Sequence, residues 1–332
     1  MLAVVKTHPG PGHVELVDRE PGALTDGYVR LEVLATGICG TDLHIEADEY
    51  PSVPPVTMGH EVCGLVAETG AGVDGALLGR RVTSETFYAT CRRCDYCRAG
   101  RPNLCPERQS IGTHVDGAFA PTVVVPATGL HDVPKGLSDE AAALTEPLAC
   151  VCQSLLDPPR IEVGDEVLVI GPGAIGQLAA QVARSMGAAV TISGTSSDAE
   201  RLALAAELGL ATREVGTAPP PVEAFDVVVE CSGSAAGAAE ALRAVRRAGQ
   251  VVQMGLRGAD ITLPYDLVCF KELTVSAGFA TTPMAWRRAA TLLSTGSVAL
   301  QPLVTEVMPL SRWADAFARS RSAQGVKFVL RP

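Results

Sequence analysis

At 332 residues the chain is long enough for two domains of the usual ~100–200 residues, and its 47% hydrophobic and 19% charged composition leaves ample material for cores. A formal net charge of −10 and a pI near 5.1 exclude the basic footprint that nucleic acid requires. No apolar run reaches the ~18–20 residues that cross a bilayer, and MLAVVKTHPGPGHVEL lacks the basic start and apolar stretch of a secretory signal, so a cytoplasmic chain with no nucleic-acid or membrane partner is expected.

Up to about Leu148, short β-like runs alternate with Gly and Pro turns. Tyr28–Leu34, Glu61–Thr69, Arg81–Thr83 and Pro121–Val125 read as strands of an irregular, barrel-like β module. The pattern then changes. Glu166–Ile170 is a short apolar strand, and Ala174–Met186 carries Ile175, Leu178, Ala179, Val182 and Met186 at helical spacing. Strand Val190–Ser193, helix Asp198–Leu208, strand Phe225–Glu230, helix Ala235–Ala244 and strands Val251–Met254 and Leu273–Ala277 follow. Strands alternating with helices predict βαβ units and a parallel sheet. The proline-rich patch Thr217–Val222 reads as a surface loop, Pro283–Ser294 as a helix and Val326–Leu330 as a returning strand.

Between the first of those strands and its helix lies Gly171-Pro172-Gly173-Ala174-Ile175-Gly176, a G-x-G-x-x-G turn in the right context. Gly171 allows the tight turn, Gly173 lets the backbone approach a pyrophosphate, and Gly176 lets helix and sheet pack closely. Dinucleotide binding is the expectation. At the end of the second strand, where an acidic residue would read the adenosine ribose, stands Gly194. Thr195, Ser196, Ser197 and the nearby Arg201 offer donors there, which favours NADP over NAD; the other reading has Asp198 reaching back.

The ten cysteines of a reduced chain read better as ligands than as disulfides. Cys91, Cys94, Cys97 and Cys105 form C-x2-C-x2-C-x7-C in a loop-like context, the pattern of a closed, structural zinc site. Arg92, Arg93 and Arg98 are placed to offset the charge of four thiolates. A redox dithiol or an iron–sulfur cluster is the rival reading.

Three further segments are ambiguous singly: Gly37-Ile-Cys39-Gly-Thr41-Asp-Leu-His44, Gly59-His60-Glu61-Val-Cys-Gly64 and Thr145-Glu146-Pro147-Leu148. Taken in order with the cysteine cluster and the glycine turn, they resemble the zinc-containing medium-chain dehydrogenases, over essentially the whole chain. The resemblance implies an α/β fold in which a GroES-like β domain (1–148) is interrupted by a Rossmann doubly wound parallel sheet (149–279). Residues 280–332 would then return to complete the first domain, with the active site in the cleft. It implies two zinc ions per chain, Cys39 and His60 being ligands of the catalytic one, with Glu61 and Glu146 as competing candidates for the next position. A glutamate at 146 looks like the sorbitol and threonine dehydrogenase branch, and Cys150 nearby is read as packing. Thr41 would take the proton from the substrate oxygen and His44 would pass it outward, while Asp42 is a local hydrogen-bonding residue.

The implied function is hydride transfer between a secondary alcohol and NAD(P), in a homodimer or homotetramer. The polyol-reading arginine of sorbitol dehydrogenases is replaced by Ala280, so a polyol, cyclitol or amino-sugar-like alcohol is expected rather than sorbitol itself. Phe279 is a pocket candidate; Tyr50, Phe87 and Phe119 are weaker ones. The alternatives are a zinc-independent NADPH-dependent enoyl or quinone reductase, and a non-catalytic metal-stabilised binding protein on the same fold.

Overall fold

A computed structural model of the chain describes residues 1–217 and 222–332. Most of the run expected as a loop, Thr217–Val222, lies outside the described residues. Two compact units result: Met1–Glu146 with Ala280–Trp286 and Val304–Pro332, and Pro147–Phe279 with Arg287–Leu303.

The first unit opens with a small antiparallel sheet of Leu2–Lys6, Val14–Asp18 and Val56–Thr57. Its main sheet is built on β1 (Tyr28–Gly37), whose Val29, Leu31 and Val33 point inward while Arg30 and Glu32 point outward. That is the period-2 alternation of a half-buried strand. Helix α1 (Gly40–Glu46) follows directly, then β2 (Glu61–Thr69), β3 (Arg81–Ser84), β4 (Thr122–Pro126) and β5 (Leu130–Asp132). Their inward residues Val62, Val66, Val82, Val123 and Val125 join those of β1 in one core. Helix α2 (Thr145–Leu156) begins in this unit.

In the second unit, β6 (Glu166–Ile170) leads into α3 (Ala174–Ser185), β7 (Ala189–Gly194), α4 (Ala199–Glu207), β8 (Ala211–Glu214) and β9 (Phe225–Glu230). Then come α5 (Ala235–Ala244), β10 (Val245–Gln253), β11 (Thr274–Ala277) and α6 (Pro283–Ser294). The six strands are all parallel, in the order β8-β7-β6-β9-β10-β11. Covered on both faces, β6 is apolar along almost its whole length. The order reverses between β6 and β9, which makes the ends of those two strands the switch point of a doubly wound sheet.

The chain then forms β12 (Val304–Pro309), α7 (Trp313–Arg321) and β13 (Lys327–Arg331). β13 pairs antiparallel with β1 at Val329↔Gly37 and Leu330↔Thr36, and parallel with β12, giving the first unit a sheet in the order β5-β3-β2-β1-β13-β12. Not all of 280–332 follows that path. Arg287–Leu303 packs with the second unit, where Gln181 bonds both the N–H and the carbonyl of Ala299 (2.8 and 3.3 Å). Val298, Leu300 and Leu303 are buried there. Among the described residues no helix is long and apolar enough to cross a membrane.

Candidate functional site

Cys39 lies just beyond β1 and caps α1, where the Asp42 carboxylate accepts a hydrogen bond from the Cys39 N–H at 2.8 Å. The β1–β2 register sets Gly37 opposite Glu61, which brings the start of β2 alongside Cys39. A side chain at Gly37 would have to displace the Glu61 carboxylate: a Cβ there would lie 2.0 Å from Glu61 Oε2. Ligand atoms of Cys39, His60 and Glu61 all fall within 4.8 Å of one another. His60 and Glu61 are buried, at 8% and 0% exposure.

Two residues absent from the sequence-based ligand set complete the surroundings. Lys327, on β13, donates to Glu61 Oε1 and Oε2 at 2.7 and 2.9 Å and to the Ile38 carbonyl at 2.9 Å. Burial is the largest single influence and would lower its pKa, but Glu61, Cys39 and Glu146 together hold it above the ordinary lysine value. Asp42 is fully buried, and its Oδ1 lies 3.7 Å from His60 Nδ1, beyond hydrogen-bond length. Burial pushes the Asp42 carboxyl up, against the pull of His60. Burial opposes charge on His60, yet Asp42 and Cys39 hold its pKa well above the ordinary histidine value. His60 Nδ1 and Asp42 Oδ1 are buried with no hydrogen-bond partner. A thiol, an imidazole and a carboxylate converging here form a donor set that fits zinc, and the Asp42 carboxylate stands behind the imidazole, on the side where metal-bound histidines have an outer-shell partner, at 3.7 Å.

Thr41 and His44 sit three residues apart on α1, both partly exposed, with His44 Nδ1 2.7 Å from Glu49 Oε2. Glu146, in the first turn of α2, is buried but lies outside the trio; its charge still reaches His60 and Lys327. Cys150 is one turn further on, outside any ligand cluster among the described residues, and its carbonyl accepts from Ser154 Oγ.

The four-cysteine loop is built differently. Its sulfurs lie within 4.8 Å of one another, with Cys91 3.5 Å from Cys105 and 4.0 Å from Cys97. A tetrahedron with ~2.3 Å zinc–sulfur bonds has edges of about 3.8 Å, so the spacing fits a closed zinc site. Backbone N–H groups point at the sulfurs: Cys91 N at Cys105, Cys94 N at Cys91 and Cys97 N at Cys94. N–H groups of Arg93 and Cys94 lower the Cys91 thiol to about 6, whereas desolvation pushes Cys97 up to about 11. Arg93, expected to offset thiolate charge, is instead paired with Glu107 at 2.8 and 3.0 Å.

In the glycine turn, Gly171 has φ +97°, and a Cβ on Gly176 would lie 1.9 Å from the Gly171 carbonyl oxygen. Gly173 caps α3 with open space where its Cβ would be. The turn therefore leaves a cradle at a helix N-terminus, which fits a pyrophosphate. Pro172 and Ala174–Ile175 complete it, and Gln177 Nε2 ties the Pro172 carbonyl (3.3 Å) to that of Arg201 (2.7 Å). Gly194 ends β7 against Pro172; a Cβ there would approach Pro172 Cγ to 2.7 Å. Asp198 is engaged within its own segment. Its Oδ2 accepts from Thr195 N and Oγ1 at 3.0 and 2.9 Å, and its Oδ1 from Arg201 at 3.2 Å. Ser196 and Ser197 stay exposed. Of the aromatic pocket candidates, Phe119 is core, 6.1 Å from Phe317, and Phe87 is buried under Arg108. Tyr50 packs on the Phe119 cluster, while Phe279 is exposed.

A β unit with two clusters of potential metal ligands, together with a doubly wound sheet carrying a G-x-G-x-x-G turn, defines a class, and comparison with known proteins agrees. Residues 25–135 match the family model of the alcohol dehydrogenase GroES-like domain and residues 174–295 that of zinc-binding dehydrogenases. The chain belongs to the zinc-containing medium-chain dehydrogenases and is a zinc-dependent oxidoreductase of the alcohol and polyol type. A sorbitol dehydrogenase from Halalkalibacterium halodurans is 39% identical over 100% of this chain and 99% of its own. A D-arabitol-phosphate dehydrogenase from Enterococcus avium is 34% identical over 99% of this chain and 97% of its own. A zinc-binding dehydrogenase from Sinorhizobium meliloti, in a crystal structure bound to NADP, has a TM-score of 0.90 and 33% identity over 100% of this chain and 99% of its own.

Proposed function

We propose that the chain interconverts a secondary alcohol of polyol, cyclitol or amino-sugar type and its ketone, using two zinc ions per chain and NADP in preference to NAD. The observation that carries this is the convergence of Cys39, His60 and Glu61 within 4.8 Å. Cys39 and His60 would hold the catalytic zinc, with Glu61 or Glu146 as the exchangeable third protein ligand; Cys91, Cys94, Cys97 and Cys105 would hold the structural one. When bound, the catalytic zinc lowers the pKa of the substrate hydroxyl, and the nicotinamide takes the hydride.

The chain's own residues do the rest. Asp42 orients His60 from behind, and Lys327 keeps the Glu61 carboxylate turned over Gly37. Thr41 accepts the hydroxyl proton and His44 carries it outward, with Glu49 fixing the imidazole; imidazoles exchange protons near physiological pH. The Gly171–Gly176 turn and the N-terminus of α3 hold the pyrophosphate. Preference for NADP is supported by Gly194, which puts no carboxylate at the ribose, by Thr195, Ser196, Ser197 and Arg201 beside it, and by the NADP-bound relative. Arg201 would exchange Asp198 for the 2′-phosphate. A homodimer or homotetramer is the assembly that the family resemblance supports, and the free cysteines among the described residues suit a reducing, cytoplasmic setting.

The test is a panel of polyols, cyclitols and amino sugars assayed with NAD and NADP, on the parent and on Cys39→Ala. The variant should lose at least about a thousandfold in kcat/KM, or ~4 kcal/mol, along with one of two zinc equivalents. Full alcohol oxidation by that variant would end the reading.

A further inference from the structure

The Glu230 side chain has no part in the site described above, yet it is fully buried at the carboxyl end of β9. Oε1 accepts from Ser232 N at 2.8 Å and from the Ser232 hydroxyl; Oε2 accepts from Gly233 N at 3.2 Å and from Gln253 Nε2 at 2.7 Å. Its backbone carbonyl accepts from Met254 N and Gly255 N at 2.8 and 2.9 Å. Glycines close around the carboxylate. A Cβ on Gly237 would lie 2.8 Å from Oε1, and one on Gly255 would lie 2.6 Å from Oε2. Gly237 belongs to the first turn of α5, so the positive end of that helix faces the buried charge. One residue thereby fastens two loops, 231–234 after β9 and 254–256 after β10.

Those loops stand at the switch point of the sheet. A Cβ on Gly171 would lie 2.8 Å from both Ser232 N and Ser232 Cα, so the Ser232 turn is the immediate neighbour of the dinucleotide turn. Dinucleotides bind outside the carboxyl ends of the strands at this point. We infer that Glu230 is a positioning residue of the dinucleotide crevice, holding the Ser232–Gly233 and Gly255 turns as the wall beside Gly171. The inference rests on the reading of Gly171–Gly176 as the cofactor site. Glu230 acts through its donors, since protein groups already occupy both oxygens. Only an ionised carboxylate accepts from all four donors; a glutamine there would set an N–H against another N–H.

The experiment is titration of NADPH fluorescence with the zinc-loaded parent, Glu230→Gln and Gly173→Asp, well below their melting temperatures. Glu230→Gln should raise the dinucleotide Kd about tenfold, the cost of one strained buried donor. Its zinc content and its alcohol KM at saturating dinucleotide should match the parent. A lower Tm with Kd within about twofold of the parent would make Glu230 scaffold only and overturn the inference. If Glu230→Gln does not fold, Gln253→Leu removes a single donor: a Kd raised about threefold supports the inference and an unchanged Kd overturns it. Gly173→Asp places a carboxylate in the cradle. Binding as tight as the parent's in that variant would sink the reading of the turn and this inference with it, whereas parent-like binding in Glu230→Gln alone sinks only the inference.

Discussion

The two candidate metal-binding clusters of the first unit are assembled in opposite ways. The four cysteines come from one stretch of 91–105, three of them partly exposed, with local backbone N–H groups aimed at the sulfurs. The trio of Cys39, His60 and Glu61 is drawn from a helix cap and a strand start, is mostly buried, and takes its charge balance from Lys327, 266 residues beyond Glu61. A site made by local spacing is closed and self-sufficient. A site made by sheet register depends on the whole fold, and it brings a buried carboxylate beside the thiol and the imidazole.

The largest effect that sharpens this contrast is expected at Lys327. Replacing it with Met strands the Glu61 carboxylate, and a broken buried pair costs about 3–5 kcal/mol, read by urea unfolding of the metal-free chain. Unchanged stability would show that Glu61 is balanced otherwise. Next is Asp42→Asn, which keeps the shape but weakens the support of His60. Metal competition should show catalytic-zinc affinity reduced about 10–100-fold with the cysteine loop unaffected.

The cysteine loop should respond to pH in its own way. Cys91 ionises at about 6 and is already thiolate at neutral pH, whereas Cys97 keeps its proton until about 11 and must release it to bind metal. Zinc affinity of the loop should therefore fall as pH drops from 8 to 7, about tenfold for each proton displaced. Calorimetry in buffers of different ionisation enthalpy counts those protons, and a count of zero would contradict the assignment. The smallest effect is Arg93→Ala: its partner is Glu107 and both side chains are exposed, so stability should change by less than about 0.5 kcal/mol and zinc content not at all. Loss of zinc there would restore the arginine to a charge-balancing role.

Legibility followed the same divide. The glycine turn, the cysteine loop and strands such as Glu166–Ile170 and Phe225–Glu230 were readable because their signals are local. Helix α7 and the edge strand β8, with its exposed Ala211 and Thr212, carried too little apolar pattern to stand out. Lys327 could not be found, since only the pairing of β13 with β1 brings it to Glu61. Asp42 had a faint signal in its capping distance from Cys39. Asp198 stands close enough in the chain to reach back, but its hold on both Thr195 and Arg201 depends on side-chain directions that spacing does not reveal.

The position of β13 also bears on how the protein is made. Lys327 leaves the ribosome only after the entire second unit, so the nascent first unit carries Glu61 without its ammonium and the Thr36–Gly37 end of β1 without its partner strand. Domains synthesised first generally fold first. Here the main sheet of the earlier unit is completed only by residues made after the later one.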